Sequence, residues 1–158
     1  MATITVQGYN ATKDDDRRMV EAAVDINVGL LWGYDSDGKA VLATNATGEN
    51  VRAEGIMVVG SASSWGSEIE FNNTPKMASG KSFRPIRCAT YQNEGSTPFE
   101  TYSNAQLGDP VYLGEDGLIT LDEPAVGGDL IQIVGRVKSK SAVEIDLDLG
   151  FAAITQAE

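Results

Sequence analysis

Hydrophobic residues occur along this chain in short runs that alternate with polar residues or stop at glycine. Near the N-terminus, Ile4 and Val6 alternate with threonine and glutamine, which is the period of a strand with one buried face. Farther along, hydrophobic residues 30–32 and 40–42 flank an Asp-Ser-Asp-Gly sequence at 35–38, the composition of a hairpin turn in which glycine supplies a positive φ. The pattern predicts short strands joined by tight turns, and Trp32, which lies in one of these strands, is expected to pack in the core.

The glycines of such turns occur twice with nearly the same spacing. Three pairs are 79 residues apart and the fourth is 80 apart, which indicates one inserted residue between the third pair and the fourth: Gly29 and Gly108, Gly38 and Gly117, Gly48 and Gly127, and Gly55 and Gly135. Two copies are too few for a solenoid, whose core needs at least three stacked repeats. The spacing therefore predicts two β units folded into one pseudo-symmetric body.

Other strands follow from the same turn chemistry. The first copy is expected to hold a further strand within 51–59, and the second copy to hold strands at 111–113, 118–121 and 130–134. Residues 19–26 alternate poorly and fit either a strand or a helix capped by the aspartates that precede them.

These elements define the expected organisation of the chain. The repeat copies cover about residues 27–59 and 106–139, and residues 60–105 form a long central insertion between them. Residues 1–18 form an extended N-terminal arm, and one β domain spans 19–158. We predict an all-β fold, either a compact barrel or a tulip-like sandwich with an internal two-fold repeat.

The C-terminal hairpin shows alternation of charge. Three basic residues alternate along one strand and three acidic residues along the next, and a three-residue loop would set them opposite one another: Arg136 with Asp148, Lys138 with Asp146, and Lys140 with Glu144. Val137, Ile145 and Leu147 would then face the core. Each ion pair contributes about 0.2–1 kcal/mol, so this ladder sets register more than stability. The loop has no glycine, which leaves a register shifted by an even number open.

Composition narrows the possible functions. The chain of 158 residues has no histidine, which removes the commonest general base and metal ligand. Cys88 is the one cysteine and is interpreted as a small buried residue. The turn at 35–38 resembles the start of a calcium loop, but the twelfth position is Ala46 rather than glutamate. We therefore expect no catalysis, no cofactor and no metal.

Charge and hydropathy narrow the partners further. The net charge of −11 repels phosphate backbones, so we expect no nucleic acid partner. No run of 18 apolar residues and no charged-then-apolar leader occurs, so we expect neither a membrane span nor a signal peptide.

One stretch carries a resemblance to a known family. It contains Ala105-Gln106-Leu107-Gly108-Asp109-Pro110-Val111-Tyr112-Leu113, then Asp116-Gly117-Leu118-Ile119-Thr120, and then Ile133-Val134-Gly135-Arg136-Val137. This pattern resembles the capsid decoration (cement) proteins of tailed bacteriophages, which carry a degenerate copy earlier in the chain. Residues 27–43 resemble that earlier copy, and residues 17–20 resemble the strand that leads into it. The insertion is longer than the family pattern.

The resemblance implies a function without catalysis. It implies a small β protein on the capsid exterior of a virion, made in the host cytoplasm, bound to the major capsid protein as a trimer or a dimer. A binder that bridges several shell subunits gains effective concentration from each weak contact. The candidate capsid or subunit interface then comprises the apolar and basic residues of the arm and the aromatic residues of the insertion: Ile4, Val6, Tyr9, Arg17, Arg18, Trp65, Phe83, Phe99 and Tyr102.

A second function fits some of the same residues. Trp65 lies in a polar stretch and fits either core packing or an interface anchor, and the aromatic residues of 83–102 are typical of recognition surfaces. A receptor- or carbohydrate-binding β module on a virion or cell surface is the alternative hypothesis.

Overall fold

Short strands and tight turns account for the described part of the chain. The computed structural model describes residues 4–7, 19–58, 61, 69–70, 75–93, 105–139, 142–147 and 155–158. Sixteen strands lie within these ranges, and no helix does. The all-β prediction is therefore confirmed, and the largest sheet curls into half a barrel.

In chain order the strands are β1 (Ile4–Gln7), β2 (Val20–Glu21), β3 (Ile26–Asn27), β4 (Leu31–Tyr34), β5 (Ala40–Leu42), β6 (Gly55–Ile56), β7 (Ile69–Glu70), β8 (Lys76–Met77), β9 (Ser82–Phe83), β10 (Cys88–Asn93), β11 (Pro110–Leu113), β12 (Ile119–Thr120), β13 (Leu130–Ile131), β14 (Ile133–Ser139), β15 (Ala142–Asp146) and β16 (Thr155–Gln156). Residues 19–26 thus hold parts of two strands, and the helix that was the alternative there is wrong.

One six-stranded sheet organises the fold, with the order β1-β10-β15-β14-β11-β12. Four small sheets complete it: β5-β4-β6, β3-β8-β7, β2-β9 and β13-β16. All of the strand pairs are antiparallel. In the main sheet, strands that are not consecutive in the chain are neighbours where β1 joins β10, where β10 joins β15 and where β14 joins β11. Strands of residues 60–105 therefore enter the main sheet and two small sheets rather than standing apart from the body.

The glycine spacing of the sequence corresponds to equal strand pairing in the two copies. Trp32 lies opposite Gly55 where β4 pairs with β6, and Val111 lies opposite Gly135 where β11 pairs with β14. These positions differ by 79 residues in one strand and by 80 in the other. The inserted residue therefore lies in the loop between the paired strands, where it leaves the register unchanged.

The turn in that loop places the inserted residue earlier than the glycine spacing indicated. Glu49 N–H donates to Ala46 C=O, and Gly48 has a φ of 80° at the third turn position. In the second copy Asp129 N–H donates to Val126 C=O, and the third position is Gly128, with a φ of 93°. Gly48 thus corresponds to Gly128 and not to Gly127.

The first hairpin turn is closed by its own aspartate. The Asp35 Oδ1 atom accepts hydrogen bonds from the N–H groups of Asp37 and Lys39, both at 2.9 Å, and Gly38 follows with a φ of 76°. This arrangement is a type I turn with a left-handed residue after it. The carboxylate oxygen satisfies backbone donors here, as expected of a hairpin turn.

The second hairpin turn is held between strands of the first copy. Asp116 and Gly117 have φ values of 50° and 78°. Gly117 C=O accepts from Leu31 N–H at 2.9 Å, and Gly117 N–H donates to Ala43 C=O at 2.6 Å. A Cβ atom on Gly117 would lie 2.7 Å from the Leu31 carbonyl oxygen, so only glycine fits without a shift of backbone.

Side-chain amides and hydroxyls add further links between the copies. Gln132 is buried, and its side chain accepts from Ala53 N–H at 2.8 Å and donates to Ala53 C=O at 3.0 Å, as a neighbouring strand would. On the surface, Asp129 Oδ1 accepts from the hydroxyl of Thr47 at 2.6 Å. Because both the oxygen and the nitrogen of the buried Gln132 amide have a hydrogen-bond partner, its burial does not carry the free-energy cost of an unpaired polar group.

Two clusters of buried side chains form the core. The larger packs under the six-stranded sheet and includes Leu31, Ile56, Val111, Leu113, Val134, Val143 and Ile145. The smaller surrounds Trp32, which is fully buried, as the strand pattern predicted. A Cβ atom on Gly55 would lie 2.3 Å from the Trp32 ring, so this glycine makes room for the indole.

We expect alanine to be tolerated unequally at the two hairpin glycines. Gly38→Ala should lower the free energy of unfolding by about 1–2 kcal/mol, the cost of a left-handed conformation with a side chain. Gly117→Ala should lower the free energy of unfolding by about 1–3 kcal/mol more than Gly38→Ala does, because its methyl group would also overpack against Leu31. Urea unfolding of both variants measures the difference. Equal losses would show that the second turn is not held against the first copy.

Candidate interface

The structure places two of the predicted interface residues in the edge strand β1. Ile4 is the Cα partner of Asn93, and Val6 is the Cα partner of Tyr91, whose side chain is buried. Tyr9, Arg17, Arg18, Trp65, Phe99 and Tyr102 lie outside the described residues. The strand predicted at the N-terminus is confirmed, and it is attached to the main sheet.

Phe83 is not an interface residue of this fold, and the prediction for it is wrong. Its side chain is 0% exposed, and its ring centroid lies 5.0 Å from that of Trp32 in an edge-to-face contact. The physical reason is the pairing of β9 with β2, in which Phe83 lies opposite Val20 and enters the smaller core cluster. An aromatic residue in this position stabilises the interior rather than a contact with another molecule.

The charge ladder of the C-terminal hairpin is also wrong, because the register is shifted by four residues. Arg136 lies opposite Glu144 rather than Asp148, and Val137 lies opposite Val143. Ala142 and Val143 belong to β15 instead of the loop, and a bulge precedes Ser139.

The shift separates the other two predicted pairs. Ile145 is the Cα partner of Gly135, so Asp146, one position farther along β15, does not lie opposite Lys138. On the other side of β15, Asp146 is the Cα partner of Cys88 in β10, and the half-buried Cys88 Sγ donates to its Oδ1 atom at 3.2 Å. Lys140 and Asp148 lie outside the described residues. The shift is even, so it keeps each side chain on its predicted face. Val137, Ile145 and Leu147 are accordingly buried, as predicted.

An exposed leucine marks one end of the six-stranded sheet. At this end β1 begins with Ile4, β10 ends with Asn93, and β14 turns into β15. Leu107 precedes β11 at the same end and is 78% exposed. It lies in a turn that Asp109 N–H closes by donating to Gln106 C=O, and the next residue, Gly108, donates its N–H to Val137 C=O. We name this the Leu107 end of the sheet.

Sequence reasoning assigned Leu107 no role of its own and missed its exposure. The signal that could have found it is Gly108, which has a φ of 91°. A residue just before a turn glycine projects away from the sheet, because the turn, and not the strand alternation, sets its direction. Leu118, which is 56% exposed, lies in the second hairpin turn at the opposite end of β11.

Ion pairs lie on the surface around the smaller sheets. Lys76 Nζ contacts Asp25 Oδ2 at 2.6 Å, and Lys39 Nζ contacts Glu21 Oε1 at 2.8 Å. The hydrogen bond from Lys76, followed by that from the Ser79 amide, lowers the pKa of Asp25. The hydrogen bond to Glu21 raises the pKa of Lys39. These exposed pairs fix strand ends more than they stabilise the fold.

A partly buried tyrosine is the third group with a shifted pKa. Burial, and then the hydrogen bond to Glu123 at 3.1 Å, raises the pKa of Tyr112. The phenol is therefore neutral over the physiological range and acts as a donor to the carboxylate. This contact fastens the segment after β12 to β11.

Neither a metal-binding cluster nor a membrane-spanning helix occurs among the described residues. Within them no group of three or more His, Cys, Asp or Glu side chains could hold a metal ion. In the same part of the chain no helix is long and apolar enough to span a bilayer.

The comparisons with known proteins give no relative. No protein-family model matches this chain, and neither a curated protein nor a solved structure matches it.

We expect truncation to alanine to lower the free energy of unfolding strongly at Phe83 and hardly at all at Leu107. Phe83→Ala should lower the free energy of unfolding by about 3–5 kcal/mol, because it empties a core position. Leu107→Ala should change it by less than about 0.5 kcal/mol, because the side chain is exposed. Chemical denaturation measures both. A small loss at Phe83 would contradict its place in the core.

The Asp25 carboxylate should contribute to acid sensitivity. Its folded pKa is lowered, so its contribution to the free energy of unfolding is present above the unfolded pKa and is lost as pH falls through the folded pKa, from about pH 4 downward. The stability advantage of the wild type over Asp25→Asn should therefore shrink between pH 7 and pH 3 in urea unfolding.

The control for this titration is Asp122→Asn, which makes the same change of charge at an exposed aspartate outside the ion pairs described above. If the stability difference from the wild type shrinks equally for Asp25→Asn and Asp122→Asn as the pH falls, the contact of Asp25 with Lys76 is not the cause of the acid sensitivity.

Proposed function

We propose that this chain is a capsid decoration protein, which binds the outer surface of an icosahedral phage shell and stabilises it without catalysis. The observation that carries the proposal is Leu107, a leucine that is 78% exposed within the stretch that resembles this family. An apolar side chain so exposed gains free energy when a partner covers it, by up to about 1.5–3 kcal/mol for a leucine.

The fold supports this role. The family-like stretch forms the turn before β11, the strand itself and its partner β14, so the resembling residues lie in two neighbouring interior strands of the main sheet. The described hairpin turns at Asp35 and Gly117 are closed by hydrogen bonds, and a surface that is ordered before binding loses little conformational entropy on binding. Rigid binders are suited to bridging the subunits of a shell.

The charge supports the same role. The net charge of −11 keeps the free protein soluble at the concentration needed to cover a shell, and it opposes adsorption to nucleic acid released from broken particles. Binding sites related by the symmetry of the shell then add effective concentration to contacts that are individually weak.

A shell-stability measurement tests the proposal. Particles of the phage that encodes this chain, prepared without it, should release their DNA at a lower temperature than particles with it, and added purified protein should restore the wild-type temperature. Leu107→Asp should bind such particles about tenfold more weakly or worse, equivalent to about 1.4 kcal/mol or more.

The matched control is Leu118→Asp, the same change at an exposed leucine in the opposite end of β11, which should restore the particles as the wild type does. Equal release temperatures with and without the protein would overturn the proposal. Equal weakening by both variants would leave shell binding in place but remove the Leu107 end as its contact.

A further inference from the structure

Strand β1 is attached to the body through one neighbour. Among the described strands it pairs only with β10, over the four positions from Ile4↔Asn93 to Gln7↔Thr90. The other side of β10 is occupied by β15. Among the described strands, β1 alone covers the edge of β10 between Thr90 and Asn93. If no other strand took the place of β1, the backbone N–H and C=O groups of this edge would be an open template for one.

The chain between β1 and the next strand is long. Eleven residues, 8–18, separate Gln7 from Met19, and six of them are charged. An extended connection from Gln7 to Met19 reaches about 40 Å. A folded chain of this length has a diameter of about 40 Å, as its expected radius of gyration implies. The connection is therefore long enough for β1 to reach either its own body or a neighbouring one.

The next strand does not hold β1 in place either. Val20 lies in β2, which pairs with β9 in a sheet separate from the one that contains β1 and β10. No strand pairing among the described residues ties the chain after the connection to the edge on which β1 lies. The pairing of β1 with β10 is thus the one described attachment of this strand.

We propose that β1 is exchanged between copies of this chain, so that β1 of one copy pairs with β10 of another in the register of Thr5 opposite Gln92. The strand pairing is the same within one chain and between chains, so exchange gives up none of it. Closed assemblies in which each copy gives and receives one strand leave no β10 edge open. The occupant of this edge is a second copy, because the structure shows that β1 fits it.

The energetic balance makes the exchange dependent on concentration. Pairing within one chain is favoured because the connection keeps β1 at a high effective concentration near its own β10, and pairing between chains is favoured by protein concentration. Four residue pairs form a small unit, which opens far more easily than the core strands do. The inference concerns the isolated protein and does not rest on the proposed function.

A cysteine pair across the β1–β10 register tests the exchange. The variant carries Thr5→Cys and Gln92→Cys. These two positions are Cα partners of each other, and the Cα atoms of such partners in an antiparallel pair are close enough for a disulfide. The variant also carries Cys88→Ser, which removes the natural thiol. The purified full-length protein is oxidised at high concentration and separated on a non-reducing gel. Peptide mass spectrometry confirms that the bond joins positions 5 and 92.

The matched control is Arg136→Cys with Glu144→Cys in the same Cys88→Ser background. These two positions are opposite each other in the β14–β15 hairpin and cannot exchange without unfolding it, so their disulfide forms within one chain. For positions 5 and 92 we expect covalent dimers or larger closed assemblies as the main product, with the share of monomer rising on dilution before oxidation.

Two results would overturn the exchange. One is a 5–92 disulfide that forms only within monomers, as in the control, at every concentration. The other is free thiols at 5 and 92 under conditions in which the control pair is fully oxidised, because β1 would then pair with β10 in neither arrangement.

Discussion

The second hairpin turn is the constraint on which the arrangement of the two copies depends. Gly117 exchanges backbone hydrogen bonds with Leu31 and Ala43, so the tip of one hairpin completes the strand pairing of the other. A side chain at this position would meet the Leu31 carbonyl oxygen at 2.7 Å. Because buried backbone groups must be paired, loss of this contact would leave unsatisfied donors and acceptors in both copies at once. The Gln132–Ala53 pair extends the same junction toward the core.

The features that could be predicted from the sequence are those that depend on nearby residues. Strand alternation and turn glycines predicted the strands on both sides of Asp35 and Asp116, and the burial of Trp32, since these follow from residues within a few positions. The glycine spacing also corresponds to the equal pairing of Trp32 with Gly55 and of Val111 with Gly135. Whether residues 60–105 are an insertion in the family sense stays a prediction.

The features that sequence reasoning missed depend on distant partners. Phe83 is buried because its strand pairs with Val20, about sixty residues earlier, and no local pattern reveals that partner. The register of the β14–β15 hairpin was wrong because its loop has no glycine to fix the turn, and two hydrophobic residues were free to extend the strand. Gly127 and Gly128 are adjacent, so spacing alone could not tell which of them adopts the positive φ. In the candidate interface, the exposure of Leu107 could not be predicted from the sequence alone, because it depends on the geometry of the turn at Gly108.

The two hairpin tips differ in a way that affects engineering of this chain. The tip at 35–38 is closed by the Asp35 carboxylate, and no other part of the chain lies within 4 Å of a Cβ atom on Gly38. A foreign peptide inserted between Ser36 and Asp37 would extend into solvent while the flanking strands kept their pairing. If the chain covers a shell as proposed, every particle would then display that peptide in many copies, at the one of the two tips that the rest of the fold does not need.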